Sequence, residues 1–178
     1  MPTPALNATA PQLAAATTDF SHAETLTVTR PATLDDFEAV NALHERCSLE
    51  TRFARYQAAR RSLRLAEFHH LTRPDRSLSW VTYPEDDPHQ LIATTSLVRT
   101  PQAGAAELGI MIEDSWQSRG LGTALVQYAR TQARAFGCSS MVFMTGSDNV
   151  RMLRIIKALS AARPAIHSST VDLAVPVG

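Results

Sequence analysis

The run Gln117-Ser118-Arg119-Gly120-Leu121-Gly122 decides how this chain is read. Just upstream, residues 106–112 form an apolar strand pattern broken by a single acid, Glu107. Downstream, Leu121, Leu125, Tyr128 and Ala129 recur on one face of an amphipathic helix that Gly137 ends. A strand, a turn of small residues and a helix, in that order, make either an ordinary tight turn or an anion cradle. The first backbone N–H groups of the helix lack intrahelical partners and sit at the positive end of its dipole. A pyrophosphate fits there without cationic side chains. Glycine at 120 and 122 lets phosphates approach the backbone closely, and Arg119 adds charge at the rim.

Two better-known phosphate loops do not fit. The P-loop needs Gly, four residues, then Gly-Lys-Ser/Thr, and no such run exists. The dinucleotide fingerprint needs a third small residue at 125, where Leu125 stands. A dinucleotide-binding redox protein is therefore a minor alternative, which NAD binding would revive.

Working outward, 178 residues suit one domain with its own core. Residues 1–23, rich in Ala, Thr and Pro, read as a disordered tail, and residues 24–178 as a single domain. Zero formal net charge argues against a nucleic-acid binder, and no apolar run is long enough to span a membrane. The start of the chain lacks the basic residues of a secretory signal, and two cysteines, Cys47 and Cys138, make no disulfide framework; both point to the cytoplasm. Neither His-Glu-x-x-His nor paired Cys-x-x-Cys spacing occurs, so no metal is expected. Residues 46–76 concentrate arginines, which makes either a solvated helical surface or a basic face for an acidic partner.

Residues 25–29 alternate as a strand, and Asp35 and Asp36 open a helix carrying Phe37, Val40 and Leu43. Residues 49–71 are helical, as one helix or two. Strands follow at 78–83, 90–99 and 106–112, then the glycine-turn helix, a strand at 140–145, a helix at 149–159 and a last strand at 170–175. This is an α+β chain with a mixed, mostly antiparallel sheet flanked by helices.

Gln117-x-x-Gly120-x-Gly122 after a strand, with Asn149 opening the next helix, resembles the GCN5-related N-acetyltransferase (GNAT) family, known for Gln/Arg-x-x-Gly-x-Gly/Ala. The resemblance implies that fold, with a splayed strand pair at an acetyl-CoA site. It implies that backbone groups of Met111, Ile112 and Glu113 pair with the pantetheine arm. The pyrophosphate would lie on amides of Gln117, Ser118, Arg119, Gly120, Leu121, Gly122 and Thr123, with Asn149 beside the arm. Asn149 also reads as a plain helix N-cap. Within the family, residues 106–112 and 48–53 resemble bacterial protein-lysine acetyltransferases. The implied function is acetyl transfer from acetyl-CoA to a primary amine, a protein lysine, by a monomer or homodimer.

A lysine amine has an ordinary pKa near 10.4, so transfer at neutral pH needs a base. Glu107 stands where the resembling enzymes keep a glutamate for that task; it also reads as an exposed acid on a sheet face. Many family members carry a tyrosine seven residues after the asparagine to protonate the leaving thiolate, and Ile156 stands there instead. That departure, and Ser160-Ala161-Ala162-Arg163 where many members have a Leu/Gly-Phe pair, keep open a non-catalytic acyl-CoA-binding module; a small-molecule amine acetyltransferase is a further alternative.

Overall fold

The computed structural model describes residues 18–22, 25–159, 165–167 and 170–178, with side chains described for 26–159 and 174–178. Strands β1 (Thr18–His22), β2 (Thr25–Pro31), β3 (Ser77–Pro84), β4 (Ala93–Arg99), β5 (Ala105–Ile112), β6 (Ser140–Gly146), β7 (Ala165–His167) and β8 (Thr170–Pro176) form one sheet in the order β1-β2-β3-β4-β5-β6-β8-β7. Every pairing is antiparallel except β5 with β6. A parallel pair needs a crossover, supplied by helix α4 (Leu121–Ala135).

Helices α1 (Phe37–Arg46), α2 (Leu49–Tyr56) and α3 (Leu65–Leu71) pack on one face, where Val40, Leu43, Phe68, Val81 and Met111 share a core. Helix α4 and α5 (Val150–Leu159) join the other core, around Val126, Ala129, Phe143 and Ile156. Helix α4 stops as its glycine requires: Gly137 lies at φ 79°, its N–H donates to Arg134 O, and Cys138 N–H donates to Ala133 O, both at 2.9 Å.

Two expectations are revised and one left open is settled. The domain begins before residue 24, because Thr18–His22 pairs with β2; residues 1–17 lie outside the described residues. The helical stretch 49–71 is two helices, broken where Gln57 turns to φ 50°. Strand β7 was not foreseen, three residues being too short for a periodic signal. The run 160–163 lies outside the described residues.

Candidate active site

Strands β5 and β6 pair only over residues 105–108 and 140–143, although β5 runs to Ile112 and β6 to Gly146. Beyond Leu108 and Phe143 the pair splays, and a cavity of about 160 Å³ opens there. Glu107, Gly109 and Ile110 of β5, Arg55 and Tyr56 of α2, and Asn149 before α5 all line it.

Two hydrogen bonds fix which way the β5 peptide groups point. Thr100 N–H donates to Ala105 O at 3.0 Å, and Glu113 N–H donates to Ile92 O at 2.9 Å. The register between them is unbroken, so residues 105, 107, 109, 111 and 113 turn their backbone groups toward β4. The even-numbered residues turn theirs toward β6, and past the splay these are Ile110 and Ile112. Met111 and Glu113, expected to pair with a cofactor arm, therefore face the wrong way. Met111 is instead a buried core side chain, and Glu113 forms an ion pair with Arg46 at 3.0 Å.

The Ile112 carbonyl is already capped. Gln117 Nε2 donates to it at 2.9 Å and to Thr51 Oγ1 at 2.8 Å, while Arg151 donates to Gln117 Oε1. Asp114 accepts from Ser48 N–H (2.8 Å), Ser48 Oγ (2.7 Å) and Thr51 Oγ1 (2.9 Å). Burial opposes the charge on Asp114, but the Ser48 and Thr51 donors outweigh it and hold its pKa below the usual range. The family-like string at 48–53 thus clamps the start of α2 to the glycine turn.

In that turn Ser118 and Gly120 take φ of 59° and 83°, which aims successive amides to one side. The first intrahelical bond is Ala124 N–H to Gly120 O at 3.1 Å, so the amides of Leu121, Gly122 and Thr123 have no acceptor within the helix. Gln117 N–H is taken by Asp114 O at 3.2 Å, which narrows the expected cradle to 118–123. A Cβ on Gly122 would meet only ordinary contacts, 3.5 Å from Ile112 and Ile155. Arg119 is exposed at the rim, 5.2 Å from the Trp116 ring centroid.

Asn149 is a helix cap that also faces the cavity. Its Oδ1 accepts from Met152 N–H at 3.1 Å as a helix cap, its Nδ2 donates to Thr145 Oγ1 at 2.9 Å, and it lines the cavity. Glu107 lies on the α2 face of β5, half-buried, and among the described residues it closes no ion pair. Ile156 is 1% exposed in the core, so no proton donor stands at that position. Cys47 and Cys138 are free and buried, and burial pushes the Cys47 thiol up to about 12.

Sequence reasoning missed a group on α1 and α2. His44 is fully buried; its Nδ1 lies 2.7 Å from Val40 O and its Nε2 2.6 Å from the Tyr56 hydroxyl. A carbonyl only accepts, so Nδ1 carries the proton and Nε2 accepts from Tyr56. Burial is the main cause holding the His44 pKa down, with Arg55, Arg60 and Arg52 adding repulsion against a bond to Val40 that favours the charged ring. His44 and Tyr56 sit twelve positions apart on different helices, a separation that no spacing rule flags.

The fold of an acetyltransferase is what this sheet, with its splayed strands and glycine turn, matches, and the comparisons agree. The acetyltransferase (GNAT) family matches residues 37–159, and the chain belongs to that family. Its members use acetyl-CoA as donor. No curated protein sequence matches the chain. Among solved structures, the GNAT domain of S. lividans PAT superposes with a TM-score of 0.78 at 20% identity, covering 90% of this chain and 96% of that one. The yncA structure from Salmonella typhimurium, solved with its cofactor acetyl-CoA, gives 0.66 at 17%, covering 85% and 94%. The ribosomal-protein-S18-alanine N-acetyltransferase of Escherichia coli gives 0.64 at 14%, covering 85% and 94%. At these identities the likeness is one of fold.

Proposed function

We propose that this protein transfers the acetyl group of acetyl-CoA to a primary amine, a protein lysine, in the cytoplasm. One observation carries the reading: the Glu107 carboxylate, without an ion-pair partner among the described residues, shares a cavity with the open backbone edge of β5. The residues fit the donor. Backbone N–H and C=O of Ile110 and N–H of Ile112 are the groups free of β4 that can hold an amide-bearing arm, and the amides of 118–123 suit its pyrophosphate. Bound there, acetyl-CoA supplies an activated thioester. Glu107 takes a proton from the acceptor ammonium, directly or through a water, and an N–H of Ile110 or Ile112 donates to the carbonyl oxygen as charge builds on it. The protein-lysine preference rests on the strings at 48–53 and 106–112.

The experiment is coenzyme A release over a panel of amines and proteins, with Glu107→Gln as control and mass spectrometry of acetylated extract proteins. Labelling of small amines alone would sink the lysine preference. Binding of acetyl-CoA with no turnover on any amine would favour the second reading, a non-catalytic acyl-CoA-binding module. The buried Ile156 at the usual tyrosine position is the observation in its favour.

A further inference from the structure

Arg55 is a cation held inside the cavity. On β5, Glu107 and Gly109 point to the same face, about 7 Å apart along the strand. Gly109 is where the guanidinium rests: a Cβ there would lie 2.2 Å from Arg55 Cζ and Nη2. The group is fixed from other sides as well. Arg55 Nη2 donates to Ser96 Oγ at 3.1 Å, and its Cζ sits 4.8 Å from the centroid of the Tyr56 ring. That ring is locked by the hydroxyl bond to buried His44 and stacks on it at 5.5 Å.

In the same stretch Arg46, Arg60, Arg64 and Arg73 each pair with a carboxylate of the chain. Arg55, half-buried, pairs with none among the described residues. A guanidinium removed from water needs an anion and hydrogen-bond acceptors. Glu107 does not close that pair, which leaves one carboxylate and one guanidinium side by side, each able to contact a ligand.

We infer that Arg55 binds an anionic group of the acetyl acceptor, so the acceptor carries a carboxylate that can lie close in space to its reactive amine. The inference rests on the acetyl-transfer reading above. Glu107 receives the ammonium end and Arg55 the carboxylate end, each through a charge-assisted contact within the cavity that both line. An acidic residue flanking a lysine and the carboxylate of a free amino acid present the same chemistry.

The test is steady-state coenzyme A release with matched acceptor pairs: a lysine peptide flanked by glutamates against its glutamine-flanked twin, and free leucine against leucinamide. The expected result is a higher kcat/KM for the carboxylate-bearing member, by a ratio that falls about tenfold to a hundredfold in Arg55→Gln, the range for one charge-assisted contact. Differences in amine pKa cancel in that comparison of ratios. Arg55→Lys should lie between. Gly109→Ala, which pushes the guanidinium aside without deleting its charge, should lower the ratio too. Acetyl-CoA affinity by calorimetry should stay within about twofold in every variant, since an acceptor contact leaves donor binding uniform. Whichever pair shows the preference identifies the source of the carboxylate. A ratio unchanged in Arg55→Gln overturns the inference, as does a loss of acetyl-CoA affinity, which would assign Arg55 to the donor. Should no amine turn over, the acetyl-transfer reading fails separately. Calorimetry of the two peptides against the coenzyme A-loaded protein then decides: a preference for the glutamate peptide that Arg55→Gln removes supports the anion site, and equal affinities refute it.

Discussion

Replacing Tyr56 by phenylalanine removes one oxygen and leaves a defined defect. The His44 ring is 0% exposed, and its Nδ1–H is committed to Val40 O at 2.7 Å. Without the hydroxyl, the buried Nε2 lone pair loses the donor it holds at 2.6 Å. The ring area and its stack on His44 are kept, so the expected cost is the unsatisfied acceptor alone, about 1–3 kcal/mol. For a domain of this size that lowers Tm by about 2–12 °C. The pH dependence follows from the same pair. Burial depresses the pKa of folded His44, and Arg52, Arg55 and Arg60 reinforce it. Below about pH 6.5 the unfolded chain therefore binds a proton that the folded chain refuses. Stability should be flat above that pH and fall below it, and His44→Gln should remove this slope. Denaturant unfolding followed by tryptophan fluorescence between about pH 5 and 8 measures both effects. A cost below about 0.5 kcal/mol in Tyr56→Phe, or stability that rises on acidification through this window, would refute the assigned tautomer and the bond.

Glu107→Gln should lose about 100- to 1,000-fold in kcat/KM at pH 7.5, where about one lysine amine in 800 is neutral, and the deficit should shrink toward pH 9.5; a pH–rate profile with a constant deficit would assign Glu107 a different role. Gly120→Ala forces a Cβ onto φ 83° and should weaken acetyl-CoA binding and cost about 1 kcal/mol of stability, while Gly122→Ala should leave stability within about 0.5 kcal/mol; calorimetry and melting curves on the two variants check this. Asp36 accepts from Arg30 at 2.6 and 2.8 Å and from Thr33 N–H at 2.8 Å, so Asp36→Asn should cost about 1–3 kcal/mol near neutral pH. Burial works against the Asp36 charge, yet the Arg30 and Thr33 contacts hold its pKa below the usual range. The wild type's advantage over Asp36→Asn should therefore be full above about pH 4 and fade as pH drops further, as acid unfolding curves would show.

Much of the fold was written in local pattern. Alternation gave β2, short strand-like runs set off by turn residues gave β3 to β6, the 3.6-residue period gave α4, and Gly120 and Gly137 take the positive φ that a turn and a helix end require. The order strand, small-residue turn, helix was enough to nominate the turn, because an anion cradle is made by consecutive backbone amides and needs no partner from elsewhere, while the donor came from the resemblance carried by Gln117-x-x-Gly120-x-Gly122. Glu107 was visible as the one acid in an apolar strand.

The rest depended on residues distant in sequence. Which β5 amides face the cleft is set by hydrogen bonds from Thr100 and to Ile92 on the neighbouring strand, and that parity turned Met111 and Glu113 away and left Ile110 and Ile112. The clamp of Asp114 on Ser48 and Thr51, the His44–Tyr56 bond and the seat of Arg55 on Gly109 all join different elements, from 12 to 66 positions apart. Such contacts depend on how α1 and α2 lie across the sheet. Sequence determined the family, most of the strands and helices, and the glycine turn, since backbone geometry and period are local properties. Only the tertiary structure decided which groups share the cavity, because its charge and shape are made by side chains that the chain brings together by folding.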